Sequence, residues 1–388
     1  MNRIATIAAI TGFVGLVLFV IGVVLEPRQA LTSYVFAYAA MSTVVLGALI
    51  QVMMSNVTGA RWFTVMRRIT LHVTGAMPAL VILAIPLFAG AAIIYSWTSP
   101  SMLPAATRAI VDRKVAWLNM PFFIVRGVVY LGVWLAVAEI LRGRSLRRDE
   151  TRGLAAASET QRLRRFSAGG LVAVGLTLTF ASFDWLMSLE PTWYSTVYGV
   201  YVFAGGFVSA LGLIAILARI SSRAGVALDG VVTPEHFGAL GKLLLTFVIF
   251  WAYIAFSQFL IIWIGDVPLD ASWYLTRTSG SWGTLALIVV IGQFALPFVL
   301  LLPRAPKRRP RFLAAIGWLL LATHVLDSYW LVLPALHPLG MAPSWLDVAA
   351  LLMVGGLTAA AAVWRARGQS LLPLGDPYVA RAMQYVEP

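Results

Sequence analysis

Residues 238–264 read GALGKLLLTFVIFWAYIAFSQFLIIWI and hold one charged side chain, Lys242. An apolar run needs about 20 residues to cross a bilayer core as a helix. This one is long enough, and it lacks the strict apolar–polar alternation of a barrel strand. Working outward in both directions, nine more such runs follow: 4–25, 32–54, 74–95, 117–141, 167–189, 193–218, 282–302, 312–334 and 345–365. They are numbered here as spans 1 to 10 in chain order, with 238–264 as span 7. Hydrophobic residues make up 60% of the 388-residue chain and charged residues 12%, where a soluble domain carries about 25% charged residues. Mean hydropathy is +0.85. An ordinary soluble enzyme, a disordered chain and a coiled coil are excluded. The fold class expected is an all-α, polytopic integral membrane protein with about ten transmembrane helices.

The net charge of +13 is explained by topology rather than by nucleic acid. Arginines crowd the loops on one side, from Arg3, Arg61, Arg67 and Arg68 through the 142–165 and 304–311 clusters to Arg365, Arg367 and Arg381. The other side carries Arg28, Arg108, Arg113, Lys114 and Arg277. The positive-inside bias therefore places both termini in the cytoplasm. Trp97, Trp117, Trp193, Trp273, Trp282 and Trp345 fall near the opposite ends of the spans, as an interfacial belt would. Span 1 is too long for a signal-peptide core and reads as a retained helix. The absence of Cys excludes disulfides, thiolate-held iron–sulfur clusters and covalently attached c-type haem. The basic segment 142–166 reads as the longest loop and as a linker between two halves.

An internal repeat supports those halves. Span 5 holds Asp184 seven residues before Pro191, and span 9 holds Asp327 seven residues before Pro334. Seven residues are about 10 Å of helix, so both carboxylates are expected at similar depth. Spans 3 and 7 correspond loosely, with Arg68 four residues before His72 and Lys242 four before Thr246. The reading is two four-helix bundles, 32–190 (spans 2–5) and 191–335 (spans 6–9), related by an axis along the membrane normal. Residues 1–31 and 336–388 supply the flanking helices and a cytoplasmic tail.

Ionisable side chains inside the spans carry the functional signal, since a charge at mid-bilayer costs at least a few kcal/mol. In span 7, Lys242, Thr246, Tyr253 and Ser257 share one helix face over about 22 Å. Such a stripe lines a proton or water path, or else makes interhelical hydrogen bonds. Asp184 shares a face with Thr177 and Ser188. His324 and Asp327 are neighbours at a spacing of three, and a His beside a carboxylate exchanges protons near neutral pH. The competing reading for each acid is a structural ion pair. Arg126 is expected to meet an acid on another helix, and Glu139 to face cytoplasmic water. His72 and Glu190 lie at the two boundaries. Pro78 and Pro86 are expected to kink span 3. The candidate proton-path set is thus Asp184, Lys242, Thr246, Tyr253, Ser257, Asp327, His324, His72, Glu139 and Glu190, with no metal site. No Walker A loop, dinucleotide fingerprint, H-E-x-x-H or C-x-x-C occurs.

Three stretches carry a resemblance. Phe183-Asp-Trp-Leu-Met-Ser-Leu-Glu-Pro191 with Trp193 and the Ser195–Gly199 turn is similar to the ActF-type membrane subunit of alternative complex III. So are Leu240-Gly-Lys-Leu243 running into Phe250-Trp-Ala-Tyr-Ile-Ala-Phe-Ser-Gln258, and Lys114 through Leu118-Asn-Met-Pro-Phe-Phe-Ile-Val-Arg126. The similarity covers spans 4 to 7, and its general pattern continues through His324–Pro334. It implies an NrfD (polysulfide reductase)-like fold of two four-helix bundles flanked by single helices, in a bacterial cytoplasmic membrane. It implies a subunit of a quinol:electron acceptor oxidoreductase that supports quinol oxidation and forms a proton path, and that is not an enzyme alone. The partners implied are an NrfD-like sister subunit, an iron–sulfur subunit and multihaem cytochrome subunits. Haem and iron–sulfur clusters would sit only in those partners, and the small molecule would be menaquinol or ubiquinol. Thr192 stands where a His often follows Glu-Pro in that family, and Ala239 where an Asp often precedes Leu-Gly-Lys. Both remove protonatable groups from the ends of the implied path.

A secondary transporter with two parallel repeats is the competing class. It calls for discontinuous helices at matched positions of both halves, and Pro78 and Pro86 have no counterparts in span 7. A membrane acyl- or glycosyltransferase would need a loop His with an acid at fixed spacing, which is not found. On this reading Asp184→Asn assembles normally and lowers quinol-linked turnover.

Overall fold

The computed structural model describes residues 2–150 and 154–386. Among them there is no strand, and ten helices are long and apolar enough to cross a membrane. Spans 1 to 5 are Arg3–Leu25, Pro27–Thr58, Arg61–Ala89, Met120–Glu150 and Ser158–Leu189. Spans 6 to 10 are Tyr198–Ser221, Pro234–Gly265, Gly280–Leu301, Pro310–Ala335 and Trp345–Arg365. The chain is an all-α polytopic membrane protein. Both termini lie on the face that carries the arginine-rich loops, called the terminal face below.

The same contact pattern occurs in spans 2–5 and in spans 6–9. Span 2 packs on spans 3 and 5, span 4 on span 5, and spans 6 to 9 repeat the pattern. Spans 2 and 6 meet at the centre and are the most enclosed helices of the chain. Each also touches the last helix of the other bundle: span 2 touches span 9, and span 6 touches span 5. Spans 1 and 10 pack on each other along the flank of span 2. Water-free helix association relies on close backbone approach at small residues. At the span 6–span 9 crossing a Cβ on Gly317 would lie 2.4 Å from the Gly212 carbonyl oxygen. At the span 1–span 10 crossing a Cβ on Gly356 would lie 2.4 Å from the Gly12 nitrogen. The loops repeat too: a short amphipathic helix, Ala105–Arg113, precedes span 4, and another, Pro268–Thr278, precedes span 8.

Span 3 is broken as its prolines predict. It runs as Thr64–Thr74, Met77–Leu83, Ile85–Ala89 and Ala91–Ile94. Proline removes a ladder donor and displaces the preceding turn, so carbonyls are freed inside the bundle. Two tyrosines of span 2 take them: the Tyr34 hydroxyl donates to the Leu83 carbonyl, and Tyr38 donates to that of Leu80 at 3.1 Å. Span 8 carries a π-helical turn, Ile291–Ala295, directly before Pro297. The extra residue in that turn accommodates the proline. The two broken helices are span 3, second in its bundle, and span 8, third in its bundle. Under the repeat they are not equivalent, since span 3 corresponds to span 7 and span 8 to span 4. The matched discontinuous pair of a repeat-built transporter is therefore not formed by these breaks.

Two boundaries differ from the sequence expectation. Segment 142–166 is mostly helix rather than loop, because span 4 continues to Glu150 and the next helix begins at Leu154. Its Arg, Ala, Leu and Glu residues are good helix formers. The 31-residue helix of span 4 is roughly 46 Å long, so it outreaches a hydrocarbon core of about 30 Å. Span 3 begins near Arg61 rather than at residue 74. Arg67 and Arg68, expected in a loop, are helical and buried because acids from elsewhere neutralise them.

Candidate functional site

The two repeated carboxylates sit in opposite environments. Asp184 is 0% exposed and accepts four hydrogen bonds. Arg126 grips it as a fork, Nε to Oδ2 at 2.7 Å and Nη2 to Oδ1 at 2.9 Å. The Tyr130 hydroxyl adds 2.9 Å to Oδ2, and the Trp117 indole adds 2.8 Å to Oδ1. A carboxylate has about four lone-pair positions, so this one is saturated. The guanidinium also stacks between rings, 4.1 Å from the Trp117 centroid and 4.2 Å from that of Phe122. Of its expected face partners, Ser188 donates back to the Asp184 carbonyl, and Thr177 accepts from the Trp134 indole at 2.9 Å. The arrangement fixes a charge in place.

Asp327 is 2% exposed and is held by one hydrogen bond, from the Tyr201 hydroxyl to Oδ1 at 2.5 Å. Among the described residues no cation lies at ion-pair distance from it. His324, one turn away, binds Thr43 of span 2 through Nε2 at 2.9 Å, across the bundle boundary. Its Nδ1 is buried beside the Ala40 backbone, and among the described residues it makes no side-chain hydrogen bond. Gly205 of span 6 lies against both groups, and a Cβ there would meet His324 Nδ1 at 3.3 Å and Asp327 Oδ2 at 3.4 Å. Next to this cluster the Thr323 hydroxyl donates to Gln293 Oε1 at 2.6 Å, on the π-helical turn of span 8. The Gln293 amide nitrogen is likewise buried and unpaired. A buried polar atom of this kind calls for a water, an ion or a functional role.

Tyr201 also lines a cavity of about 530 Å³ in the half of bundle 2 away from the terminal face. Its wall is strongly aromatic, with Tyr198, Trp251, Phe256, Trp273, Tyr274 and Trp330 among the lining residues. Ala252, Ala255 and Ala286 leave the space open, and Gln258 supplies an amide. Exposed Ile249, Tyr253, Phe256 and Val290 form its rim between spans 7 and 8. The cavity thus opens sideways, where lipid would be. Burial raises the Tyr274 hydroxyl above its ordinary pKa, so it stays a hydrogen-bond donor.

A link between bundles closes the far face. Arg277 is buried, stacks 3.8 Å from the Trp273 centroid, and binds Glu190 at 2.5 Å and the Leu331 carbonyl at 3.0 Å. Trp273 in turn stacks on Trp193 at 4.5 Å. Lys114 donates to the Pro191 carbonyl at 2.7 Å, and partial burial lowers its ammonium below the ordinary lysine pKa. Trp117–Arg126–Asp184 and Trp273–Arg277–Glu190 are therefore two versions of one motif, an arginine stacked on tryptophan and paired with an acid.

The remaining candidates do not join one path. Lys242, Thr246 and Tyr253 are exposed, Tyr253 by 64%, and Ser257 is half-buried. The stripe faces away from the bundle, and the buried face of span 7 is Leu240, Leu244, Val248, Trp251 and Gln258. Within the stripe the Thr246 hydroxyl donates to the Lys242 carbonyl of its own helix at 3.0 Å. Glu139 is paired with Arg365 at 2.5 and 2.7 Å, and its side chain remains 37% exposed. His72 is buried beside Arg142, Arg68 and the Ser370 backbone, distant in sequence and setting from exposed Lys242, its counterpart's neighbour. Glu190 serves the interbundle link.

Sequence reasoning missed Tyr201, Gln293, Arg277 and Asp376. Asp376, in the tail, is buried and binds Arg67 at 2.5 Å and Arg148 at 2.7 Å. Asp149 beside it takes Arg68 at 2.7 Å and the Gly375 amide at 3.0 Å. A signal existed only for Tyr201, which follows the Pro191 turn at the start of span 6. No protein family model matches this chain, and no curated protein matches it.

Proposed function

We propose that this chain is a membrane subunit of a respiratory quinol:electron acceptor oxidoreductase of the alternative complex III type. It lies in the bacterial cytoplasmic membrane with both termini cytoplasmic, and acts beside an NrfD-like sister subunit, an iron–sulfur subunit and multihaem cytochromes. The motif resemblance and the arginine bias of the terminal face support this placement. The observation that carries the reading is the aromatic cavity of bundle 2 with Tyr201 in its wall and Asp327 behind it. Its volume falls within the range of small-molecule pockets, and its sideways opening suits an isoprenoid quinol that arrives through lipid.

In this reading the aromatic wall holds the ring, and Gln258 and Tyr274 orient its oxygens. Oxidation of a quinol releases two electrons and two protons. The electrons leave to redox groups of the partner subunits. The two protons leave in turn: a ring hydroxyl gives its proton to Tyr201 as Tyr201 gives its own to Asp327, and Asp327 gives that proton up before the second ring hydroxyl's proton follows the same route. That transfer needs a carboxylate without a fixed cation, which distinguishes Asp327 from Asp184. Trp251, Trp273 and Trp330 line the cavity and provide the assay. Decyl-ubiquinone titrated into the purified chain should quench their fluorescence saturably, and Ala286→Trp, which fills the cavity, should abolish the saturable component. Equal quenching of both proteins would refute the assignment.

A further inference from the structure

The terminal face of bundle 2 holds a second hollow that quinol chemistry does not use. The last turn of span 6 brings Arg219 there, the loop after it adds Ser222 and Arg223, and the start of span 9 adds Arg308, Arg309 and Arg311. These side chains line one space of about 670 Å³, together with Val232, Pro310 and Phe312. Glu235 is occupied by Arg308, and Asp229 accepts from the Gly225 amide at 3.0 Å. Among the described residues no carboxylate lies at ion-pair distance from Arg219, Arg223, Arg309 or Arg311. Four arginines from two distant segments, three of them exposed, line one space, and among the described residues none has an acidic partner of its own; a bound anion would relieve their mutual repulsion. Guanidinium groups match phosphate in geometry as well as charge.

The hollow sits where two membrane helices end, and an apolar track leads from it. On span 9 the residues after Arg311 on the same face are Ala315, Trp318 and Ala322, all exposed. Their spacings of four, three and four make one helical stripe. Small side chains flank a tryptophan that is 62% exposed.

We propose that this hollow binds the phosphate headgroup of an anionic phospholipid, with an acyl chain along Ala315, Trp318 and Ala322. A free phosphate shares the headgroup chemistry but has no use for the track. Basic pockets at helix ends on the cytoplasmic side suit such headgroups.

The test uses the full chain in a neutral detergent and counts bound lipid by native mass spectrometry. Phosphatidylglycerol, phosphatidylcholine and inorganic phosphate are titrated separately and in competition. The wild-type chain should retain one phosphatidylglycerol in preference to phosphatidylcholine. The triple variant Arg223→Gln, Arg309→Gln, Arg311→Gln should bind it on the order of a hundredfold more weakly, from the usual increment per basic residue. The matching Lys triple variant should keep most of the affinity, which separates lost charge from lost folding. The control Arg164→Gln, Arg165→Gln removes exposed arginines of the same face at the start of span 5 and should behave as wild type. Equal weakening in the control, no preference over phosphatidylcholine, or displacement of the lipid by millimolar phosphate would each overturn the proposal.

Discussion

The Arg126 guanidinium and the Asp184 carboxylate face each other as two forks, at 2.7 and 2.9 Å, in a place where neither is open to solvent. A buried pair of this kind is costly to break, because the survivor is left as an uncompensated charge. Arg126→Ala should therefore destabilise the chain by about 3–5 kcal/mol. Asp184→Asn should also lower the yield and thermal midpoint of folded protein, since an amide cannot accept both arms of the fork. This replaces the sequence expectation that Asp184→Asn assembles normally. Unchanged thermal midpoints for both variants would show that the pair has no structural part.

Asp327 should behave in the opposite way. Asn at 327 still accepts from Tyr201 through its carbonyl oxygen and leaves no stranded cation, so Asp327→Asn should fold within about 1 kcal/mol of wild type. Quinol-linked turnover per assembled complex should fall by at least about a hundredfold, the usual scale for loss of a general base. Tyr201→Phe should fold and lose turnover likewise. Assembly measured by haem content, alongside turnover, distinguishes this from a packing defect. Full turnover in Asp327→Asn would place the proton acceptor elsewhere.

The tail is predicted to be a structural part of bundle 1. Asp376 neutralises Arg67 and Arg148 together, all three buried. Asp376→Ala leaves two buried guanidinium groups facing each other and should cost about 3–5 kcal/mol. Hydrogen exchange should then speed up across 370–386 and at the start of span 3. Unaltered exchange would mean the tail is merely apposed.

Tyr38→Phe removes the donor that satisfies the Leu80 carbonyl at the break in span 3. The loss of about 1–3 kcal/mol expected for an unpaired buried carbonyl is measurable by unfolding in mixed detergent. A neutral outcome would mean that water reaches the break.

Hydropathy made the ten spans legible because each lipid-crossing helix must be long and apolar. The buried acids were legible for the same reason, as exceptions that need partners, and Arg126 does meet an acid on another helix. What the sequence could not carry was direction. The polar stripe of span 7 has helical periodicity, but periodicity does not say whether a face points inward, and Lys242, Thr246 and Tyr253 point out. Repetition of Asp184 and Asp327 hid their difference, because the cation that locks one comes from span 4 and the other meets only Tyr201. The burial of Arg67 and Arg148 depends on a tail acid more than two hundred residues from the latter, with no local pattern to announce it. The cavity was equally hidden, since its walls come from four spans and the short helix Pro268–Thr278.

Photoaffinity labelling bears most directly on the claim that bundle 2 receives a quinol. Native membranes that hold the full complex would be irradiated with an azido-ubiquinone, and the adducts in this chain mapped by peptide mass spectrometry. The account predicts adducts on the stretch 251–259 of span 7 and on Trp273–Thr278, which together line the cavity, competed by unlabelled quinol and lost in Ala286→Trp. Adducts confined to the sister subunit, or spread over the lipid-facing residues of span 7 without competition, would contradict it.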